Sequence, residues 1–191
     1  AKIMREIIHP VIRGMEQENT HYVGFLYAGL MISPNSEIRV LEFNCRMGDP
    51  ETQPIMLRLR SDLLTHIEQA LNGTLDKAEI EWDRRVSLGI IMAAQGYPSS
   101  PRKNDVIHGL DALKTQQKTD PDFYVFHSGT RMGGKDNKEI ITAGGRVLCV
   151  TALGDNVKIA QQNAYKIADQ IKFDDAQMRS DIGYRSIVNT P

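Results

Sequence analysis

Glu42 and Asn44 are the residues whose types and spacing first indicate chemistry. They lie in the apolar run 40–45, which has the character of a strand. Side chains alternate along a strand, so both would project from one face with their α-carbons about 6.6 Å apart. A carboxylate and an amide oxygen suit Mg²⁺ or Mn²⁺, especially a metal that also binds nucleotide phosphates. A half-exposed hairpin edge would explain the same pair, because solvated polar faces are common in antiparallel sheets.

The residues after this pair favour the metal interpretation. Arg46 can donate two parallel hydrogen bonds to a phosphate or carboxylate. Gly48 permits close approach of the backbone to a ligand. Asp49 and Pro50 are typical of a helix start, whose amide groups can face an anion. A metal pair, a guanidinium group and a helix start within ten residues together indicate a place where phosphates are handled.

A second glycine-rich segment, 129–136, resembles a nucleotide-binding loop but fails at its last position. It fits the pattern G-x-x-x-x-G-K, yet Asp136 stands where a phosphate loop needs Ser or Thr to bind the metal. The residues that follow are typical of a strand, whereas a phosphate loop leads into a helix. We interpret the segment as a hairpin loop.

The candidate metal pair belongs to a predicted β-hairpin. Apolar runs at 21–32 and 38–45 flank the turn residues of 33–36. Before the hairpin, a helical rhythm runs to Met15, with a break expected at Pro10. After it, periodic apolar residues predict an amphipathic helix over 54–71 that Gly73 ends.

The polar stretch 73–85 separates this region from a second one, so we predict two domains, 1–84 and 85–191. The second region is dominated by predicted strands that turn residues separate. It ends in an amphipathic helix that Asp155 can cap. The strands are predicted at 86–94, 105–110, 123–127, 139–142 and 146–152, and the helix at 156–171.

Composition narrows the class of protein. The 191 residues include 23 Lys and Arg against 24 Asp and Glu, so no basic field is available to bind nucleic acid or an anionic membrane non-specifically. The two cysteines, Cys45 and Cys149, favour a reducing compartment. Neither an apolar run of spanning length nor a signal peptide is present, which favours a cytoplasmic protein. The chain opens in helical rhythm without a capping residue, so we expect a piece of a longer protein.

The run EFNCRMGDPETQ at 42–53 resembles the signature of the phosphoribosylamine–glycine ligase family, ATP-grasp enzymes of purine biosynthesis. The motifs GFLYAGLMI, PIMLRLRSDLL, GYP, DVIHGL, GGRVLCVTALG and DIGYR resemble that family in order and spacing. The resemblance implies an α+β fold. Residues 1–84 would be the C-terminal half of an ATP-grasp domain, an antiparallel hairpin plus helices. Residues 85–191 would be a small mixed α/β domain with a largely antiparallel sheet.

The resemblance also implies roles for the signature residues. Glu42 and Asn44 would ligate the Mg²⁺ or Mn²⁺ that bridges ATP phosphates, and Arg46 would be catalytic, stabilising the transferring phosphate or the acyl phosphate. Many ATP-grasp proteins carry another acidic ligand on the preceding strand, but 21–32 contains no Asp or Glu. We therefore expect the chain alone to bind metal weakly.

Three further residues take implied places around the substrates. Leu41 would pack on the adenine of ATP, and Asp49 and Glu51 would border the substrate pocket. The implied reaction joins glycine to 5-phosphoribosylamine at the expense of ATP, giving glycinamide ribonucleotide, ADP and phosphate. The lid and the N-terminal part of such an enzyme are missing, so this chain is not expected to turn over alone. Another ATP-grasp carboxylate–amine ligase and a non-catalytic folding or interaction module are the alternatives.

Overall fold

The computed structural model describes residues 1–188, and its contacts divide the chain into two compact units. The first unit contains Ala1–Asp49 and Asp62–Ile80, and the second contains Pro50–Ser61 and the residues from Glu81 onward. The fold is mixed α/β with antiparallel sheets, as the sequence predicted.

The boundaries of the helices in the first unit can be explained by the residues at their ends. A π-helical turn, Met4–Ile8, leads into α1, His9–Gln17, and Pro10 lies in the first turn of α1, where its missing N–H group costs nothing. The chain stays helical across this point, with Ile8 and His9 both in the right-handed helical conformation, so the break expected at Pro10 is only a change from π-helix to α-helix. Helix α3, Leu63–Leu71, begins after Asp62, whose carboxylate accepts a hydrogen bond from the Thr65 backbone N–H at 2.9 Å. Gly73 follows with a φ of 66° and ends this helix as predicted.

The predicted hairpin is present in the first unit. Strand β1, Tyr27–Ile32, pairs antiparallel with β2, Ile38–Asn44. The turn is closed by a hydrogen bond from the Ser33 N–H to the Glu37 carbonyl oxygen, at 3.0 Å. Strand β1 starts at Tyr27 and not at residue 21, because the residues between them pair with no strand.

The second unit is built on a three-stranded antiparallel sheet in the order β3-β7-β4. Its strands are β3, Val86–Ala93, β4, Phe123–His127, and β7, Arg146–Gly154. Strands β5, Thr130–Gly133, and β6, Glu139–Thr142, form a separate hairpin. Gly134 turns the chain between them with a φ of 64°, so the glycine-rich segment is a hairpin, as expected.

Helix α5, Val157–Ala168, covers one face of the sheet and closes the core. Its cap is Asn156, whose side chain accepts the Ile159 amide at 3.0 Å, and not Asp155 as predicted. Helix α2, Thr52–Arg58, also packs on β3 and β7. A short helix α6, Tyr184–Val188, follows near the end of the described residues. The buried core includes Ile90, Met92, Leu113, Leu148, Val150, Ala160, Ala164 and Ile171.

Two predictions of local structure are wrong. The helix predicted over 54–71 is interrupted, because Leu59 adopts an extended conformation and forms a bridge with Trp82. The strand predicted over 105–110 is reduced to single bridges from Val106 and His108. Gly109, with a φ of 93°, then turns the chain into an unpredicted helix, α4, Leu110–Gln116.

Candidate metal and phosphate site

The register of the β1–β2 hairpin determines where the candidate ligands point. Glu42 lies opposite Gly29, and Asn44 lies opposite Tyr27. Residues directly opposite each other project from the same face of an antiparallel pair, so the two ligands share one face. The common face of Glu42 and Asn44, which strand alternation predicted, is therefore present in the structure.

A β-bulge interrupts the hairpin just before the ligand pair. Gly29 pairs with Glu42 while the next residue, Leu30, pairs with Val40. Leu41 is thus the extra residue of β2, and its side chain is 63% exposed. Bulges re-aim neighbouring side chains and are enriched beside active sites. The bulge could not be predicted from β2 alone, because it depends on the pairing with β1.

Asn44 can bind a metal only through its amide oxygen Oδ1, whereas its amide nitrogen is a donor that suits an anion. Asn44 is half-buried, and its side-chain nitrogen Nδ2 is buried without a hydrogen-bond partner in the structure. Glu42 is exposed. One carboxylate and one amide oxygen are hard donors that match Mg²⁺ or Mn²⁺. Among residues 1–188, no three His, Cys, Asp or Glu side chains converge to hold a metal ion. Oxygens of a bound phosphate and of water would have to complete a site at this pair.

Arg46 lies beside Asn44. Its guanidinium donates to the Met47 carbonyl at 2.9 Å, and its Nη2 lies 3.5 Å from Asn44 Oδ1. The side chain is exposed. The hairpin thus brings the positive charge of Arg46 next to one candidate metal ligand, as the sequence spacing indicated.

Asp49 and Glu51 belong to different compact units. Asp49 is the last residue of the first stretch of unit one, and Glu51 immediately precedes α2 in unit two. Both are exposed. The helix start predicted at Asp49 and Pro50 lies further along the chain, because α2 begins at Thr52 and the residue at its N-cap position is Glu51.

Two neighbours of the site were not singled out from the sequence. Gly29 faces Glu42, and a glycine inside a strand is a recognised signal of close approach. Tyr22 contacts Cys45, the residue between Asn44 and Arg46. Burial, and then the hydrogen bond with the Cys45 thiol, raise the pKa of the Tyr22 hydroxyl. No sequence pattern relates positions 22 and 45, because residue 22 lies outside the paired strands.

None of the helices among residues 1–188 is both long and apolar enough to cross a membrane.

Comparison with known proteins places these features in a family. Residues 87–185 match the family model "Phosphoribosylglycinamide synthetase, C domain", and residues 1–52 match "Phosphoribosylglycinamide synthetase, ATP-grasp (A) domain". The candidate site lies in the second match. The described residues that carry it, from Leu41 to Glu51, all fall inside residues 1–52.

Individual relatives agree with the family models. The chain is 53% identical to phosphoribosylamine–glycine ligase of Ralstonia nicotianae over 187 residues, 98% of this chain and 42% of that relative. It is 52% identical to the same enzyme of Yersinia pestis over 97% of this chain and 42% of that relative. The crystal structure of phosphoribosylamine–glycine ligase from Thermotoga maritima matches with a TM-score of 0.75 and 28% identity, covering 94% of this chain and 42% of that chain.

The chain spans about 42% of the length of the relatives it matches. One family model covers more than half of the chain, and the second covers the candidate site. The chain therefore belongs to the phosphoribosylglycinamide synthetase family.

Proposed function

We propose that this chain supplies the metal- and phosphate-binding residues of a phosphoribosylamine–glycine ligase. The observation that carries the proposal is the hairpin face on which Glu42 and Asn44 project together, with Arg46 beside Asn44. The names of the relatives support the choice of reaction.

The proposed reaction has two steps. The glycine carboxylate attacks the γ-phosphorus of ATP, forming glycyl phosphate and releasing ADP. The amine of 5-phosphoribosylamine then attacks the glycyl carbonyl carbon, loses a proton and expels phosphate, leaving the amide bond of glycinamide ribonucleotide. Negative charge is redistributed over the phosphoryl oxygens in the first step, and a preorganised cation stabilises that arrangement. We assign this role to Arg46, whose planar fork can hold two oxygens at once.

The site also offers oxygen ligands for a divalent cation. Glu42 and Asn44 would hold Mg²⁺ or Mn²⁺ through a carboxylate oxygen and an amide oxygen, and the unpartnered Asn44 Nδ2 would donate to a phosphate oxygen. When bound, the cation would neutralise phosphate charge. We further assign Leu41 to the adenine of ATP, and Asp49 and Glu51 to the border of the substrate pocket.

The complete active site would need residues beyond this chain. Relatives are more than twice as long, so we propose that turnover requires the N-terminal part that such a ligase has in addition. Glycine and 5-phosphoribosylamine would be its small-molecule partners, in the cytoplasm. The division into domains 1–84 and 85–191 belongs to this proposal.

Metal-dependent nucleotide binding tests the site. We would titrate Mn²⁺ with a non-hydrolysable ATP analogue by calorimetry into the chain and into the full-length ligase. Glu42→Gln removes the charge but keeps the shape, and loss of a first ligand should weaken binding by at least about 10-fold. Glu37→Gln, an exposed acid in the same hairpin, is the matched control. Equal binding by Glu42→Gln and the control would reject the metal site.

Substrate identity needs a separate measurement on the full-length ligase. ADP release, coupled to a reporting enzyme, should require both glycine and 5-phosphoribosylamine. Release that follows a different carboxylic acid would indicate another ATP-grasp ligase. Absence of release with every acid, by a folded full-length protein, would favour a non-catalytic module.

A further inference from the structure

Gly29 lies in the middle of β1, directly across from the candidate metal ligand Glu42. Its strand neighbours Ala28 and Leu30 carry apolar side chains, so a glycine interrupts an otherwise regular β-forming run. Glycine weakens a strand by removing packing surface. A physical reason is therefore needed for its presence at this position.

The backbone at Gly29 does not supply that reason. Gly29 is not among the described glycines with a positive φ, so an L-residue could adopt its conformation. Space is the restricting factor. A Cβ atom added at Gly29 would lie 3.0 Å from Glu42 Cγ and 3.7 Å from Glu42 Oε1. The Glu42 side chain thus occupies the room that the missing side chain leaves.

The bulge at Leu41 is what brings Glu42 over Gly29. Continuing the Leu30–Val40 pairing without a bulge would place Leu41 opposite Gly29 and Glu42 opposite Ala28. A shift of one residue moves side chains to the other face of a strand. Glu42 and Asn44 would then both project from the face of Ala28, and Glu42 would no longer lie over Gly29. The bulge and Gly29 act on the same side chain, one by turning it and one by giving it space.

We infer that Gly29 is a positioning residue that holds the Glu42 carboxylate in its metal-binding orientation. The inference rests on the proposed metal role of Glu42. A methyl group at position 29 requires the Glu42 side chain to give way at Cγ, which displaces its carboxylate from the orientation seen in the structure. Because Glu42 is exposed, the side chain can move without disturbing the fold, and alanine forms strands no worse than glycine.

The experiment compares Gly29→Ala and Gly29→Val with Gly14→Ala. An added Cβ at Gly14 would meet no atom within 4 Å, so this control adds one methyl group to the same unit without contact. Mn²⁺ affinity is measured by electron paramagnetic resonance with a non-hydrolysable ATP analogue, on the full-length ligase. We expect Gly29→Ala to raise the Mn²⁺ dissociation constant about 10-fold, as changes to residues that orient a metal ligand commonly do, and Gly29→Val to raise it further. The thermal unfolding midpoint should not fall for Gly29→Ala.

A double variant distinguishes positioning from a general effect. If Gly29 acts through Glu42, adding Gly29→Ala to Glu42→Ala, which has neither the carboxylate nor the Cγ that the new methyl group would meet, should weaken Mn²⁺ binding no further. Mn²⁺ binding by Gly29→Ala equal to that of Gly14→Ala would overturn the inference, as would an additive loss in the double variant. A lowered unfolding midpoint that accounts for the loss would also overturn it. Failure of the metal site itself is separately visible, because Glu42→Gln would then bind Mn²⁺ as the wild type does.

Discussion

The Asp83 carboxylate connects separate segments of the second unit through hydrogen bonds with arginine side chains. Arg85 approaches it with two nitrogens, Nε at 3.1 Å from Oδ1 and Nη2 at 2.9 Å from Oδ2, and Arg60 pairs with the same carboxylate. Arg85 also makes two hydrogen bonds to Asp122, at 2.6 and 2.8 Å. The Asp83 side chain is only 9% exposed. Hydrogen bonds from Arg85, and then from Arg60, hold the pKa of the Asp83 carboxyl well below its usual range.

Replacement of Asp83 should therefore destabilise the protein in a pH-dependent way. We expect Asp83→Asn to lower the free energy of unfolding by about 2 kcal/mol at pH 7, because charge-assisted hydrogen bonds are lost. A depressed pKa contributes stability that is fully present above the unfolded value, near about 4, and is lost as the pH falls through the folded value. The difference between wild type and variant should thus be constant from neutral pH to about pH 5 and shrink below about pH 4.

Urea unfolding at pH 7, 5, 4 and 3 measures this difference. Asp155→Asn is the control, because it makes the same chemical change at an exposed carboxylate of the same unit. A gap between wild type and Asp83→Asn that widened on acidification would contradict the assignment.

Single residues were predictable from the sequence where one local rule sufficed. Glu42 and Asn44 share a face because side chains alternate, and this rule needs no partner strand. This rule could not predict the position of Gly29 opposite Glu42 or the bulge at Leu41, because both depend on the pairing between strands. The choice between Asp155 and Asn156 as helix cap failed for a similar reason. Both residue types can cap, and only the backbone of the turn decides which one precedes the first helical residue.

Helix α5 shows what the cap contributes at the scale of an element. It packs on β7 and β3, and its residues Ala160, Ala164, Ile167 and Ala168 are buried. Asn156 has an extended backbone, and its side chain satisfies an amide that lacks a partner within the helix. The start of the core helix is thus fixed by one side-chain hydrogen bond.

Substitution of the capping residue Asn156 should destabilise the protein, whereas substitution of its neighbour Asp155 should not. We expect Asn156→Ala to lower the free energy of unfolding by about 1 kcal/mol, the usual cost of removing a cap. Asp155→Ala, made at the position that the sequence favoured, should change it by less than about 0.5 kcal/mol. Thermal and denaturant unfolding of both variants provides the measurement. A larger loss in Asp155→Ala would mean that Asp155 caps the helix in solution.

Elements with strong periodicity were predicted well, and those set by single contacts were not. The strands at the centre of the second unit were found because they are continuous apolar runs, of which β7 is the clearest. The helix predicted over 54–71 was wrong because an apolar period continues across Leu59, although the chain there extends to bridge Trp82. The strand predicted over 105–110 was wrong because the segment has the composition of a strand but finds a strand partner at only two residues.

At the scale of the whole molecule, buried apolar residues are distributed unequally. The core cluster of the described residues runs from Leu88 to Phe173, within the second unit. In the first unit, α1, α3, β1 and β2 contain no buried residue. The hairpin has one apolar face, formed by the opposed pairs Leu30–Val40, Ile32–Ile38 and Ala28–Phe43. Ile32 is 57% exposed and Val40 is 42% exposed.

This apolar face should make the chain of 191 residues associate. Contiguous exposed apolar surface is uncommon on soluble monomers, and its burial is favourable by about 25 cal/mol per Å². We expect light scattering after size exclusion to give a mass above that of one chain, rising with concentration. The double substitution Ile32→Thr and Val40→Thr, which suits strands, should lower that mass.

The matched control for this association is Met132→Thr, at a strand position of the second unit that is 51% exposed. It removes exposed apolar surface from a unit that already has a core, so it should leave the mass unchanged. The same mass for wild type and the hairpin variant, or a monodisperse monomer of wild type, would contradict the role of the hairpin face. In the full-length ligase the association should disappear if the additional residues cover this face.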